Sequence, residues 1–223
     1  MTNSIQSSAL ILGAFGDVGL AFTNMALQNY SDVTLVYRSK PETQIFKSND
    51  SVRSIRLDYP SNCEEFESFL DCHSVSFDLV VNCIGVYQET ENIYSRDEFS
   101  YVMENNFYIL QYVMELLKSR FSRNAAFVNI SSIASFIPSK HEMAYSGAKY
   151  LVDRFIEVLR NQDEMKGVRV LNVRPGAVIS KMTKNRKDSD NLIDPTELVS
   201  LVTSVLSLGK SLAVSDLNVY RRK

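Results

Sequence analysis

Short, nearly unbroken apolar runs alternate along this chain with longer stretches in which apolar residues recur every three or four positions. The first run, ALILGA, ends in glycine and passes into DVGLAFTNMALQNY, which has the spacing of an amphipathic helix. DVTLVYRS, SVRSIRL, FDLVVNCIG, AAFVNISS, VRVLNVRPG and LAVSDLNVY read as further strands. Helical stretches lie between them. In SNCEEFESFLDC, Ser61 or Asn62 can cap and glutamates fill the first turn. SRDEFSYVMENNFYILQYVMELLKSRF is long and amphipathic, with Ser95 as its cap, and MAYSGAKYLVDRFIEVLRNQ follows the fifth strand. In DPTELVSLVTSVLSL, Asp194 caps and Pro195 takes the first helical position, where its missing N–H costs nothing. Seven strands alternating with helices predict an α/β class, doubly wound, with a mostly parallel seven-stranded sheet covered on both faces. Such sheets bind ligands beyond the carboxyl ends of their strands. With no repeat, low-complexity segment or linker, residues 1–223 are expected to form one domain.

Composition narrows the function classes. The net charge of −2 argues against nucleic acid as a partner, which would favour a basic face. Cys63, Cys72 and Cys83 have no framework spacing and suit a reducing compartment. His73 and His141 are far apart, so no metal site is expected. The apolar stretch ALILGAFGDVGLAF has no basic region before it and contains Asp17 and three glycines, so it reads as structure rather than a signal peptide. No apolar run approaches the ~20 residues of a membrane span. A soluble cytoplasmic protein is the expectation, with no membrane partner.

The first chemistry sits where the first strand meets the first helix. In LGAFGDVG, Gly13, Gly16 and Gly19 permit a tight turn and close backbone approach, and the helix N-terminus then faces an anion. Placed there, the loop with Phe15, Asp17 and Val18 predicts a dinucleotide, although a glycine turn needed for packing would look the same. The Asp17 carboxylate, so near a pyrophosphate, must point outward. After the second strand comes Tyr37, Arg38, Ser39, Lys40, with no acid to hold ribose hydroxyls. A guanidinium there matches a 2′-phosphate, which favours NADP(H) over NAD(H), although Arg38 could equally be a surface arginine. Asp58, after the third strand, is placed to accept from an adenine amino group or to cap a turn.

Taken together, GAFGDVG, LDY, NCIG, VMENN, NISS, YSGAK and RPGAVIS occur in an order that resembles the short-chain dehydrogenase/reductases in their compact single-domain form. The resemblance runs along nearly the whole chain and implies a Rossmann-type three-layer fold. It implies that Asn106, Ser132, Tyr145 and Lys149 are the catalytic residues, with Ser131 as the fallback for Ser132. It further implies that Asn82 and Gly85 shape the cofactor turn, and that Pro175, Gly176, Val178 and the Ser180 hydroxyl hold the nicotinamide end. Tyr145 and Lys149, four residues apart, share one helix face. An ammonium there would lower the tyrosine's pKa toward working pH, so that Tyr145 passes a proton to or from a carbonyl oxygen during hydride transfer. Ser132 would hold that oxygen, Lys149 the nicotinamide ribose, and Asn106 a water relaying protons to Lys149. Two departures stand out: Cys83 and Ile84 replace the usual Asn-Ala, and Asp17 replaces a glycine.

The resemblance implies a small carbonyl or alcohol as substrate. The short segment 181–193 would cover it, and its KMTKNRK contains Lys181, Lys184, Arg186 and Lys187, which could attract an anionic or carrier-bound substrate or simply be solvated. His141 and Glu142 are placed to line the pocket mouth. Tyr101, Phe107 and Tyr108 are core or subunit contacts, and the resemblance implies a homodimer or homotetramer packed through the two long helices. A catalytically silent dinucleotide-binding scaffold or redox sensor is the alternative. A sugar-nucleotide epimerase of the family's longer branch would need a substrate region beyond the 78 residues that follow Tyr145.

Overall fold

The computed structural model of the protein describes residues 7–39, 51–73, 75–137, 139–184, 191–209 and 211–222. Among these, seven strands form one sheet: β1 (Ser8–Leu12), β2 (Asp32–Tyr37), β3 (Val52–Arg56), β4 (Phe77–Asn82), β5 (Phe121–Ile130), β6 (Arg169–Pro175) and β7 (Asp216–Val219). Their order is β3-β2-β1-β4-β5-β6-β7, and every pairing is parallel. The sheet is thus wholly parallel, and the chain reverses its direction of travel between β1 and β4. That reversal opens a crevice at the carboxyl ends of the strands.

Alternation along the strands divides the core. Leu10 and Leu12 of β1 face the side covered by α2 (Glu64–Cys72), α4 (Ile109–Leu117) and α5 (Met143–Leu159), where Phe66, Leu110, Val113 and Ile156 pack. Ala9 and Ile11 face α1 (Asp17–Asn29) and α6 (Pro195–Leu206), against Phe22, Ala26, Leu198 and Val202. Asp194 caps α6 by accepting from the Thr196 amide at 2.7 Å, as its position ahead of Pro195 predicts.

Two local expectations need correction. Neither Ser61 nor Asn62 caps α2; Cys63 occupies that position, and Asn62 instead pairs with Asp58 in an isolated bridge. The long helix is interrupted. α3 (Arg96–Met103), capped by Ser95, passes through a π-helical turn at Glu104–Tyr108 before α4 begins. The Asn105 and Asn106 amides each donate to the carbonyl four residues back, Tyr101 and Val102, both at 2.8 Å. Such side-chain bonds compete with the backbone ladder and widen the turn.

Candidate active site

A cavity of about 1010 Å³ opens along the carboxyl ends of the strands, at the upper end of ordinary ligand pockets. The β1–α1 loop forms one end of it. Gly13 has φ +75°, which only glycine adopts easily, and a Cβ on Gly19 would stand 2.0 Å from the Gly13 carbonyl oxygen. The loop therefore closes on itself without side chains, and the first amides of α1 meet the cavity. Phe15, Gly16, Asp17 and Val18 line it as well. The Asp17 carboxylate accepts from the Lys181 amide at 2.8 Å. It thereby ties α1 to the segment after β6. The loop, the helix end and the cavity's volume fit a dinucleotide.

At the far end, Ser132, Tyr145 and Lys149 all line the cavity. The Lys149 ammonium lies 5.7 Å from the centre of the Tyr145 ring and is almost fully buried. It reaches the Ile130 carbonyl at 3.5 Å. Ser132 accepts from the Ala134 amide at 3.1 Å, which fixes its rotamer at the end of β5. Ser131 is separated from it by its own bond: its hydroxyl donates to Asp153 at 2.6 Å and is committed away from Tyr145.

Asn106 does not line the cavity but lies just beneath it. Its amide nitrogen donates to the Val86 and Val102 carbonyls, while its buried Oδ1 has no partner among the described residues. A Cβ on Gly85 would stand 2.8 Å from that oxygen and 3.1 Å from Lys149 Nζ. Gly85 thus allows the Asn106 carbonyl and the Lys149 ammonium to approach one small space. An orphaned acceptor beside a buried ammonium is the setting in which a bridging water is held.

Electrostatics depart from the sequence expectation for Tyr145. Burial raises its pKa to about 12; the Ser132 hydroxyl counteracts this, and the charges of Glu142 and Tyr87 add to it. Burial lowers Lys149 to about 8, against the opposing pull of Asp153 and Cys83. Desolvation outweighs the pairing of phenol and ammonium, so the phenol holds its proton.

The remaining positions divide clearly. Arg38, Ser39, Gly85, Pro175, Gly176, Val178 and Ser180 line the cavity. The Arg38 guanidinium donates to the Asn105 Oδ1 at 2.7 Å. His141 and Glu142 also line it, as their place ahead of Tyr145 predicts. Asn82 and Asp58 do not line it. Asn82 is buried and accepts from the Ile84 amide at 3.2 Å, shaping the turn behind Gly85. Asp58 pairs through one oxygen with Arg56 at 2.7 Å, between the lining residues Leu57 and Tyr59. Lys181 lines the cavity and Lys184 does not, while Arg186 and Lys187 lie outside the described residues. The Ile179 amide donates to the Ile193 carbonyl and the Ile193 amide to the Ala177 carbonyl, which brings Ile193 beside the chain that follows β6.

Three features escaped the sequence reading: Tyr87 and Arg221 in the lining, and an amide ladder across the sheet. In the ladder, Asn82 donates to Asn129, Asn129 to Asn172 and Asn172 to Asp153, each at 2.8 Å. The signal was present, since NCIG, NISS and NVRPG each carry an asparagine on a strand, Asn82, Asn129 and Asn172.

The profile of the short chain dehydrogenase family matches residues 7–191. An uncharacterized oxidoreductase of Staphylococcus aureus strain N315 is 25% identical, over 98% of this chain and 99% of its own length. A short-chain dehydrogenase/reductase of the glucose/ribitol dehydrogenase type from Brucella melitensis shares the fold at TM-score 0.84 and 18% identity, covering 96% of this chain and 95% of that one. A short chain dehydrogenase from Burkholderia cenocepacia J2315, solved in complex with NADP, aligns at TM-score 0.77 and 21% identity, over 98% of this chain and 89% of that one. The profile, the relative and the cavity's glycine loop agree: the chain belongs to the short-chain dehydrogenase/reductases, a family of NAD(P)-dependent oxidoreductases.

Proposed function

We propose that the protein is an NADP(H)-dependent oxidoreductase that interconverts a carbonyl and an alcohol, with Tyr145 as general acid/base. The observation that carries this reading is the opening of Ser132, Tyr145 and Lys149 onto the same cavity as the β1–α1 glycine loop. NADP(H), when bound, supplies or accepts the hydride. Ser132 orients the substrate oxygen, and Tyr145 gives it a proton as the carbon is reduced. The high pKa of the phenol suits the donor role. Lys149 holds the nicotinamide ribose, and Asn106 Oδ1 keeps a water against the ammonium for proton return.

The cofactor is held by the backbone of residues 13–19, by Arg38 and Ser39, by Gly85 in the turn that Asn82 shapes, and by Pro175, Gly176, Val178 and Ser180. Asp58 retains one oxygen for the adenine side. A 2′-phosphate would take the place of Asn105 as the acceptor for Arg38, which supports NADP(H) over NAD(H). The NADP complex of the Burkholderia protein is consistent with this.

The substrate is a small anionic or carrier-bound molecule, drawn by Lys181 in the cavity lining. Tyr101, Tyr108 and Tyr150, exposed on α3, the π-helical turn and α5, suit packing of a homodimer or homotetramer. Residues 1–223 act as one domain. The three free thiols suit the cytoplasm, and no helix among the described residues is long and apolar enough to cross a membrane.

Replacing Tyr145 with Phe tests the proposal against a silent scaffold or redox sensor. Turnover of NADPH with a ketone panel should fall by roughly 10²–10⁴-fold while NADPH binding persists. Undiminished turnover would remove Tyr145 from the chemistry.

A further inference from the structure

Beside Tyr145 stands a pair of residues with no part in the proton transfer itself. Tyr87, after β4, and Glu142, just ahead of α5, both line the cavity, and the Tyr87 hydroxyl donates to Glu142 Oε1 at 3.4 Å. The Tyr87 and Tyr145 rings meet edge to face, with centres 5.2 Å apart. All three residues are half-buried. Glu142 occupies the N-cap of α5, where a carboxylate ordinarily accepts from the first amides, yet its side chain caps none. Thr90 takes that place from across the chain. Its hydroxyl accepts from the Ala144 amide at 3.1 Å, and its own amide donates to the His141 carbonyl at 2.8 Å. The Glu142 carbonyl is held by the Ser146 amide and hydroxyl, each at 2.7 Å. With the backbone fixed and the helix capped by Thr90, the Glu142 carboxylate is left to Tyr87.

The other surroundings of the phenol are the Lys149 ammonium, 5.7 Å from its ring centre, the Ser132 hydroxyl, and the apolar Phe99, Val102 and Met103 of α3. Glu89 and His141 line the same cavity but are exposed to solvent. Glu142 is the carboxylate whose charge reaches the phenol.

We propose, resting on the acid/base reading of Tyr145 above, that Tyr87 and Glu142 are positioning residues for it: Tyr87 braces its ring, and Glu142, held on Tyr87, keeps its hydroxyl protonated. A carboxylate near a phenol disfavours a second negative charge, and a half-buried one is only partly screened by solvent and salt. Its sign opposes that of Lys149, whose ammonium favours phenolate. The two residues together set the pH at which the hydroxyl changes from acid to base. In alcohol oxidation the carbinol C–H breaks, its hydride passes to NADP+, the hydroxyl proton goes to the Tyr145 oxygen, and a ketone forms. That step needs the phenolate, so Glu142 restrains oxidation. Reduction needs the phenol, which Glu142 preserves. Both residues act through Tyr145.

Titration of the Tyr145 hydroxyl tests this without a substrate. The full chain would carry carbon-13 at tyrosine Cζ, with the Tyr145 resonance identified by its loss in Tyr145→Phe. Its chemical shift would be followed between pH 9 and 11 in wild type, Glu142→Gln, Glu142→Asp and Tyr87→Phe, with circular dichroism reporting folding at each pH. Partial titration suffices to rank the four. Glu142→Gln keeps the size and removes the charge, and should move the titration down by roughly 0.5–1 pH unit, less than the 1–3 units of a charge in direct contact. Tyr87→Phe keeps the ring but frees the carboxylate to turn to solvent, and should move it the same way. Glu142→Asp keeps the charge while disturbing the packing, and should stay closer to wild type than Glu142→Gln. The alkaline rise of kcat/KM for oxidation of 2-butanol and 3-hydroxybutanoate with NADP+ should move with the titration. A Tyr145 titration unchanged in Glu142→Gln would overturn the proposal. Equal falls in Glu142→Asp and Glu142→Gln would assign the effect to water entry and overturn it too. Turnover of no alcohol and no ketone by the wild type would overturn the oxidoreductase reading instead, while the titration would still decide what Glu142 does to the phenol.

Discussion

The Arg174 guanidinium donates to the Asp153 carboxylate at 2.7 Å, in a pair with side chains only 9% and 4% exposed. Asp153 stands one helical turn beyond Lys149 and is the end point of the amide ladder from Asn82. Arg174 in turn reaches Asp216 of β7 at 2.9 Å. The pair therefore joins α5, which carries Tyr145 and Lys149, to the sheet that places Ser132.

Breaking this pair should be costly. Asp153→Asn leaves a buried guanidinium without its main partner, which costs about 3–5 kcal/mol; urea unfolding at pH 7 measures it. Burial alone would raise the Asp153 carboxyl, but bonds from Ser131, Asn172 and Arg174 hold it below its ordinary 3.8. Its contribution is therefore present above pH 3.8 and lost as pH falls through the lower, folded value. The gap between wild type and variant should be constant from pH 5 to 7 and should close in strong acid. A gap that widened on acidification would contradict this sign.

Lys149 presents the opposite case. Burial lowers it from 10.5 to about 8. Tyr145, Asp153 and Cys83 are the ionisable groups that face it, from α5 and from the turn after β4. Between pH 8 and 10.5 the unfolded chain binds more protons, so this group makes stability rise with pH. Below pH 8 the folded protein bears the full cost of a buried cation, roughly 3 kcal/mol for a shift of this size. Lys149→Met should abolish turnover yet raise stability at pH 7, and the gain should shrink toward pH 10.5. A gain equal at all pH values would place its origin in packing.

Gly85 should tolerate no side chain. In Gly85→Ala the new methyl meets Asn106 Oδ1 at 2.8 Å and Lys149 Nζ at 3.1 Å. Asn106 is pinned by two donated bonds and cannot simply turn aside. Activity should drop at least tenfold, because small displacements of positioned groups are costly to rate. Stability should fall by about 1–3 kcal/mol. An Ala variant with normal kcat would show that the space holds nothing needed for turnover.

Arg38 should decide the cofactor. Arg38→Ala should weaken NADPH binding by roughly 10–150-fold, the span of hydrogen bonds to a charged group. NADH binding should change little. Parallel titrations of both cofactors measure this, and equal losses would assign Arg38 to the adenine rather than to the 2′-phosphate.

Much of this arrangement was legible in the residues. The seven apolar runs, the Asp194–Pro195 start and the glycine loop follow local rules and appear where those rules put them. The π-helical turn was not legible, because Asn105 and Asn106 break the ladder through bonds to carbonyls one turn back that no periodicity shows. The pKa of Tyr145 was misjudged because spacing reports a neighbouring charge but not the loss of solvent around it. Arg221 escaped because its place depends on β7 joining the sheet beside β6, a pairing across 44 residues that only the fold reveals. Asp58 follows the family pattern in sequence, yet turns to Arg56 two residues earlier.

The most direct test of the central claim follows the hydrogen itself. NADPH carrying deuterium at both nicotinamide C4 positions would be incubated with the protein and a panel of ketones, charged and neutral, and the alcohols examined by mass spectrometry. The account predicts one deuterium at the carbinol carbon with the wild type, and labelling slower by roughly 10²–10⁴-fold with Tyr145→Phe although NADPH still binds. Bound NADPH with no labelled alcohol from any ketone would contradict it and leave a dinucleotide-binding scaffold.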